Sequence, residues 1–149
     1  MAKRIFILFL ILVWAAICFY SCRSPESPEG SNKASIDISV EPDPVEFYWY
    51  SSEGYAEFDC FVTIYERVGV PASITKVKFY CLYKNKTQAE FTDRGGRIPA
   101  FRSMRLRFKG RVEGKAEQVK ITAEGTDGNG HRVYVVKTFL VKWIEAERT

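Results

Sequence analysis

The stretch VKITAEGTDGNGHRVYVVKTFLVKW, residues 119–143, decides the fold of this chain. Apolar and polar residues alternate on both sides of its centre, and this alternation places every second side chain on one face of a β-strand. The centre, DGNG at 127–130, contains Asp-Gly and Asn-Gly, which favour tight hairpin turns because they tolerate positive φ angles. The stretch therefore predicts two antiparallel strands joined by a turn. Lys137 shares its face with Val135 and Phe139, so we also predict a β-bulge near Lys137.

The chain from residue 36 onward repeats this alternation in shorter pieces. Gly, Pro, Asp and Ser separate the pieces, and no piece carries a helical repeat of useful length. Pro42-Asp43-Pro44 interrupts the first strand, and a proline in a strand belongs at a sheet edge or a crossover. About seven strands at this spacing, without a helix, predict an all-β sandwich. The high aromatic content, 15%, suits such a fold.

These features resemble bacterial immunoglobulin-like domains. The resemblance rests on a first strand interrupted by proline, a strand ending in Glu66, a glycine-bearing loop and a closing hairpin at GTDGNG. It covers residues 35–144 and implies an immunoglobulin-like β-sandwich at 36–144, followed by a C-terminal tail at 145–149. It implies no particular activity, because such folds host unrelated functions.

The first twenty-two residues, MAKRIFILFLILVWAAICFYSC, have the order of an export signal. Lys3 and Arg4 precede an apolar run, and Ser21 precedes Cys22. The segment resembles the signal of bacterial lipoproteins, although Phe19-Tyr20 is bulkier than the family's cleavage box. The resemblance implies a signal peptide at 1–21, acylation of Cys22 and a lipid-anchored protein of the bacterial cell envelope, with its domain facing the periplasm or the exterior. The alternatives are an uncleaved anchor and an ordinary secreted protein. The apolar run of 16 residues is short for an anchor, since spanning the bilayer takes about 20.

Residues 22–35 are predicted to form a flexible tether that begins at the acylated cysteine. The segment RSPESPEGSNKAS is rich in Ser, Pro, Glu and Gly, so it has little capacity for a stable helix or a core. The formal net charge of +4 falls by two when the leader, with Lys3 and Arg4, is removed. A nearly neutral mature protein gives no argument for nucleic acid as a partner.

Cys60 and Cys81 are the cysteines that remain in the predicted domain. Both occupy core-facing positions on strands that follow each other in the chain, and a folded-back pair of strands would bring them within bonding range. An exported, oxidising location favours a disulfide between them. The alternative is two buried thiols that act as small apolar side chains.

Seven basic residues and no acidic residue lie between positions 94 and 111. Alternate residues of a strand share a face, so four of the basic side chains form one line. The plain interpretation is a solvated outer face that also discourages edge pairing. The functional interpretation is contact with an anionic lipid, polymer or protein surface, because arginine pairs well with phosphate and carboxylate. We call the residues of this possible contact the basic stripe: Arg102, Arg105, Arg107, Lys109 and Arg111.

The sequence predicts no catalytic residues, metal site or cofactor, and hence no enzyme. His131 is the single histidine, and nothing in the sequence places a nucleophile beside it. DGNG differs from a calcium loop, because its fifth and twelfth positions are His131 and Thr138. The cluster FYWY at 47–50 sends one aromatic pair into the core and the other outward, either for packing at a sheet edge or for contact with a sugar or a protein.

The predicted function is therefore a binding or structural role in the envelope, with a protein or glycan partner. The alternative is an accessory or inhibitor-like domain that modulates another envelope enzyme.

Overall fold

The computed structural model describes residues 33–146, which belong to a compact unit spanning Ser31–Thr149. This described range contains nine strands and no helix, hence no apolar helix of the length needed to cross a bilayer. The count exceeds the predicted seven because the prolines divide the first strand in two and the sixth strand has only two residues. The strands are β1 (Ile36–Glu41), β2 (Val45–Tyr50), β3 (Tyr55–Glu66), β4 (Ala72–Tyr83), β5 (Lys86–Asp93), β6 (Arg97–Ile98), β7 (Ser103–Glu113), β8 (Gln118–Asp127) and β9 (Arg132–Glu145).

Two sheets carry these strands. In the first, β3 pairs antiparallel with β1, β2 and β7. In the second, β8 lies between β9 and β4, and β4 also pairs with β5 and β6. β2 pairs in parallel with the end of β9 and so joins the two sheets along one side. This division of strands is that of an immunoglobulin-like sandwich, which confirms the predicted fold class.

Aromatic side chains join the two sheets face to face. The ring of Phe58 on β3 stacks on Phe79 of β4 at 4.9 Å between centroids. Phe79 also stacks on Phe108 of β7 at 5.2 Å. Burial follows the period of two that the sequence indicates, with Phe58, Cys60, Val62 and Ile64 all inside the core.

The predicted closing hairpin is present, but the bulge predicted near Lys137 is wrong. β8 and β9 pair without interruption from Gln118 opposite Leu140 to Thr126 opposite Arg132. Lys137 keeps its core-facing position, and its Nζ donates to Asp37 Oδ1 at 3.0 Å. The aliphatic stem thus covers the margin of the core while the charge reaches a partner on β1.

The ordered domain extends beyond both predicted limits. The backbone N–H of Ala34 donates to Asp127 at 3.0 Å, and the carbonyl of Ser35 accepts from Arg67 at 2.9 Å, although both residues were assigned to the tether. At the other end, β9 includes Glu145, and the N–H of Ala146 donates to the carbonyl of Trp49 at 2.9 Å. The predicted signal peptide, Cys22 and the tether up to residue 32 lie outside the described residues.

Candidate binding pocket

A pocket of about 350 Å³ opens where β2 and β9 end. Trp49 and Trp143 line it together with Lys115 and Glu145. This volume lies at the small end of the range typical of ligand sites, about 300–1,000 Å³. The lining is also typical: aromatic walls with a few polar groups.

The two tryptophans meet because β2 and β9 run in parallel. This register places Phe47 opposite Trp143, and Trp49 follows two residues later on the same face. The two indole rings lie 5.7 Å apart at an angle of 77°, so they form two walls of a corner. The indole N–H of Trp143 donates to the carbonyl of Ala116 at 2.7 Å, which fixes that wall.

Two opposite charges stand at the corner. Lys115 lies in the β7–β8 connection, and Glu145 is the last residue of β9. Neither forms an ion pair with any residue in the range 33–146. The ammonium group offers hydrogen-bond donors and the carboxylate offers acceptors, so the corner combines apolar faces with both kinds of polar partner.

The pocket lies at the end of the sandwich opposite the end where the described chain begins. Ile36 pairs with Glu66, whereas Trp49 pairs with Ala56. Ten residues of β3 separate these positions, or about 33 Å at about 3.3 Å per residue. We call the end that holds residues 33–35 the entry pole and the end that holds the pocket the far pole.

A buried carboxylate organises the entry pole. Glu66 is 3% exposed and accepts backbone N–H groups from Ser35, Val68, Gly69 and Phe101 at 3.4, 2.9, 2.7 and 3.1 Å. Burial raises the pKa of Glu66, but the four donors outweigh burial and the net pKa is lowered. The carboxylate therefore connects the start of the described chain at Ser35 to the loop after β3 and to the loop before β7.

Asp127 plays a similar role in the β8–β9 turn. Its carboxylate is fully buried and accepts the N–H groups of Ala34, Asn129 and His131 at 3.0, 2.9 and 2.8 Å. Burial raises its pKa, but these donors and the His131 ring lower the pKa to about 2. DGNG is thus a turn, as predicted. Within residues 33–146, no cluster of three or more His, Cys, Asp or Glu side chains could hold a metal ion.

The disulfide predicted between Cys60 and Cys81 is not formed, and both residues are buried free thiols. The expected folding back of their strands does not occur, because β3 and β4 belong to opposite sheets. Burial raises the pKa of each thiol to about 12, and for Cys81 the neighbouring Cys60 adds to the effect. The two residues pack as small apolar side chains, which is the alternative weighed from sequence.

Four residues of the basic stripe lie on the exposed face of β7, as the alternation predicts, and three of them have acidic partners. Arg107 pairs with Asp59, and Arg111 pairs with Glu57 at 3.1 Å. Arg105 pairs with Glu41 at 2.6 Å. Arg102 precedes the strand, and neither it nor Lys109 forms an ion pair within the described range. The anionic contact predicted for the stripe stays a prediction, and the acids on β1 and β3 offset much of its charge.

Sequence reasoning found Trp49 within the FYWY cluster but missed the rest of the pocket. Phe47 and Trp49 face inward and Tyr48 is partly exposed, as the alternation predicts. Trp143 continues the alternation of Val135, Lys137 and Phe139 along the sequence, yet nothing local indicated that it would meet Trp49. Lys115 and Glu145 are ordinary charged residues in the sequence, so only their position beside the indoles marks them.

Comparisons with solved structures agree with the fold. The structural-genomics target SoR45 matches at 12% identity and a TM-score of 0.51, over 74% of this chain and 88% of that one. A protein of Bordetella pertussis assigned as ApaA matches at 12% identity and a TM-score of 0.51, over 73% of this chain and 95% of that one. The CARDB domain of a Pyrococcus furiosus protein matches at 15% identity over 78% of this chain and 97% of that domain, but its TM-score of 0.37 adds no argument.

Sequence comparisons give no closer relation. No protein-family model matches the chain, and no curated protein matches it either. The structural likeness at such low identity concerns the fold alone, and it agrees with the all-β architecture described above.

Proposed function

We propose that this protein is a lipid-anchored binding protein of the bacterial cell envelope, which acts through its immunoglobulin-like domain without chemical turnover. The anchor rests on the leader that ends in FYSC and on the tether composition of residues 23–35. The observation that carries the binding role is the pocket between Trp49 and Trp143.

The position of the pocket supports this proposal. The proposed tether joins the domain at the entry pole, so the far pole is the end of the domain most distant from that junction. The pocket lies about 33 Å along β3 from that junction. The tryptophan corner is therefore open to a ligand without hindrance from the junction with the tether.

The side chains at the pocket favour binding over catalysis. Among the described residues, those that line the corner provide one amine and one carboxylate, with no histidine, cysteine or serine nucleophile. The thiols of Cys60 and Cys81 are enclosed in the core, and the His131 ring lies at the entry pole. Two aromatic walls, one of them held by the bond from Trp143 to Ala116, suit recognition of a ligand that remains unchanged.

The test places a photoreactive amino acid at position 115 of the full chain in its native cells. Irradiation should yield adducts with envelope material, and the Trp49→Ala background should abolish them. Position 134 is the matched control, because Tyr134 is exposed on β9 and precedes Trp143 by nine residues of that strand, or about 30 Å at about 3.3 Å per residue. Equal adducts at 115 and 134 would overturn the binding role.

The anchor is tested separately by feeding the cells an alkyne-labelled fatty acid. Wild-type protein should carry the label in the membrane fraction, and Cys22→Ala should lose it. An unlabelled wild-type protein would overturn the lipid anchor.

A further inference from the structure

The geometry of the tryptophan corner points to one ligand class: we infer that the pocket binds an uncharged sugar ring of an envelope polysaccharide. This inference rests on the proposed binding function and specifies its ligand. It follows from three properties of the corner, namely its aromatic faces, its two opposite charges and its size.

The aromatic faces match the faces of a pyranose ring. The π-system gives the face of an indole ring a partial negative charge, so the face attracts the weakly positive C–H groups that a pyranose ring presents on its flatter side. Trp49 and Trp143 stand at 77° to one another. One ring can therefore stack under the sugar while the other contacts its edge. The bond from Trp143 to Ala116 holds one wall in place before the ligand arrives, which reduces the entropy lost on binding.

The two charges match hydroxyl groups better than they match another charge. A hydroxyl can both donate and accept a hydrogen bond. Sugar hydroxyls can thus donate to the Glu145 carboxylate and accept from the Lys115 ammonium at the same time. Hydrogen bonds to charged groups are stronger than bonds between neutral groups, so this pairing gives orientation as well as affinity.

The other simple ligand classes fit less well. A cation enclosed by the indoles would lie beside Lys115, and an anion would lie beside Glu145. An apolar side chain would cover both charges without offering a partner, and burying unpaired charges is costly. The volume of about 350 Å³ suits a single small ring rather than an extended peptide.

The experiment titrates the full chain with chitohexaose, cellohexaose and maltohexaose. The protein is held in a detergent without a sugar headgroup, because alkyl glycosides would compete. The chain contains three tryptophans, and two of them line the pocket, so their emission reports occupancy directly. Calorimetry provides the affinity. We expect saturable binding of at least one oligosaccharide that changes less than twofold between 0.05 and 0.5 M salt, as suits an uncharged ligand.

Variants separate the pocket from the rest of the surface. Trp49→Ala should weaken binding at least tenfold, and Lys115→Met and Glu145→Gln should each weaken it about three- to tenfold. Tyr134→Ala is the control and should bind as the wild type does. Lys115→Met and Glu145→Gln alter no buried residue, so they test the site even if Trp49→Ala disturbs the fold.

Three results would overturn the sugar assignment: no binding of any of the three oligosaccharides at 10 mM, unchanged affinity in both charge variants, or a tenfold loss in 0.5 M salt. Adducts at position 115 that consist of protein and resist glycosidases would also reject the sugar ligand while leaving the binding function in place. Glu113, exposed at the end of β7, gives a second photoreactive position that leaves Lys115 in place. The absence of adducts at both 113 and 115 rejects the binding function itself, so the two failures are distinguishable.

Discussion

Replacing Glu66 with glutamine should destabilise the domain by about 2–4 kcal/mol, because two backbone donors would lose their acceptor. Each Glu66 oxygen accepts two N–H groups: Oε1 those of Ser35 and Val68, and Oε2 those of Gly69 and Phe101. A glutamine amide has one oxygen and one NH₂ group, so either orientation turns the NH₂ toward two donors. Leaving a buried donor unsatisfied costs about 1–3 kcal/mol, and partial access to water places these two in the lower part of that range.

The assay is urea unfolding of residues 31–149, the whole compact unit, followed by tryptophan emission. For a small domain, a slope of about 2 kcal/mol per molar urea converts the predicted loss into a midpoint about 1–2 M lower. Glu46→Gln is the matched control. Glu46 pairs with Lys142 on the exposed surface at 3.1 Å, and exposed pairs contribute little, so its midpoint should barely move.

The pH dependence provides an independent check on the cause. The pKa of folded Glu66 is lowered below that of the unfolded chain, about 4.3. Its stabilisation is therefore complete above the unfolded pKa and is lost as the pH falls through the folded pKa. The difference between wild type and Glu66→Gln should be constant from pH 7 to 5 and should shrink below pH 4. Asp127 titrates in both proteins, so its contribution cancels. A midpoint within 0.3 M of wild type at pH 7, or a difference that persists in acid, would refute this account of the entry pole.

Three further predictions follow from the core and the outer face. In residues 31–149, which exclude Cys18 and Cys22, Cys60 and Cys81 should be inert to a thiol reagent in the native state and should give two equivalents after denaturation without reductant; fewer than two would indicate that they are bonded. Gly125→Ala should destabilise the domain by more than about 2 kcal/mol, because its Cβ would lie 2.0 Å from the Ser73 carbonyl oxygen. Gly96→Ala, whose nearest contact is 3.7 Å away, should be nearly neutral in the same unfolding assay. Co-sedimentation of residues 31–149 with anionic vesicles should be weak and should vanish by about 0.15 M salt, since acidic residues pair with most of the basic stripe. Binding that persists at 0.5 M salt would contradict this.

Local patterns in the sequence were sufficient to predict the last two strands and the hairpin that closes them. The alternation in residues 119–143 and the DGNG turn depend on neighbours in the chain, and both appear as β8, β9 and their turn. The predicted bulge near Lys137 was wrong because alternation alone gives no reason for a lysine to occupy a core-facing position. The reason is Asp37, 100 residues away in the chain, whose carboxylate accepts a hydrogen bond from the Lys137 ammonium.

Assignment of strands to sheets could not be predicted from the same patterns. β3 and β4 follow each other in the chain, and the expected disulfide assumed that they would pair. They face each other across the core, where Phe58 stacks on Phe79. The pocket has the same origin, because Trp49 and Trp143 become neighbours only through the parallel pairing of β2 with β9. Such long-range pairings depend on the whole fold and leave no local signal.

The entry pole joins the proposed tether and the far pole holds the pocket, so the distance between the poles sets how far from the anchor the pocket can lie. Ala34 and Ser35 are bonded to the buried carboxylates of Asp127 and Glu66, so the rigid domain begins at residue 34. On the proposed anchoring, eleven residues, 23–33, separate Cys22 from this domain, and eleven residues extend to at most about 34 Å at about 3.1 Å each. Adding about 33 Å along β3 places the pocket within roughly 70 Å of the bilayer. A ligand of this protein must therefore lie inside that distance, which favours a polymer close to the membrane over one exposed only at a distant surface.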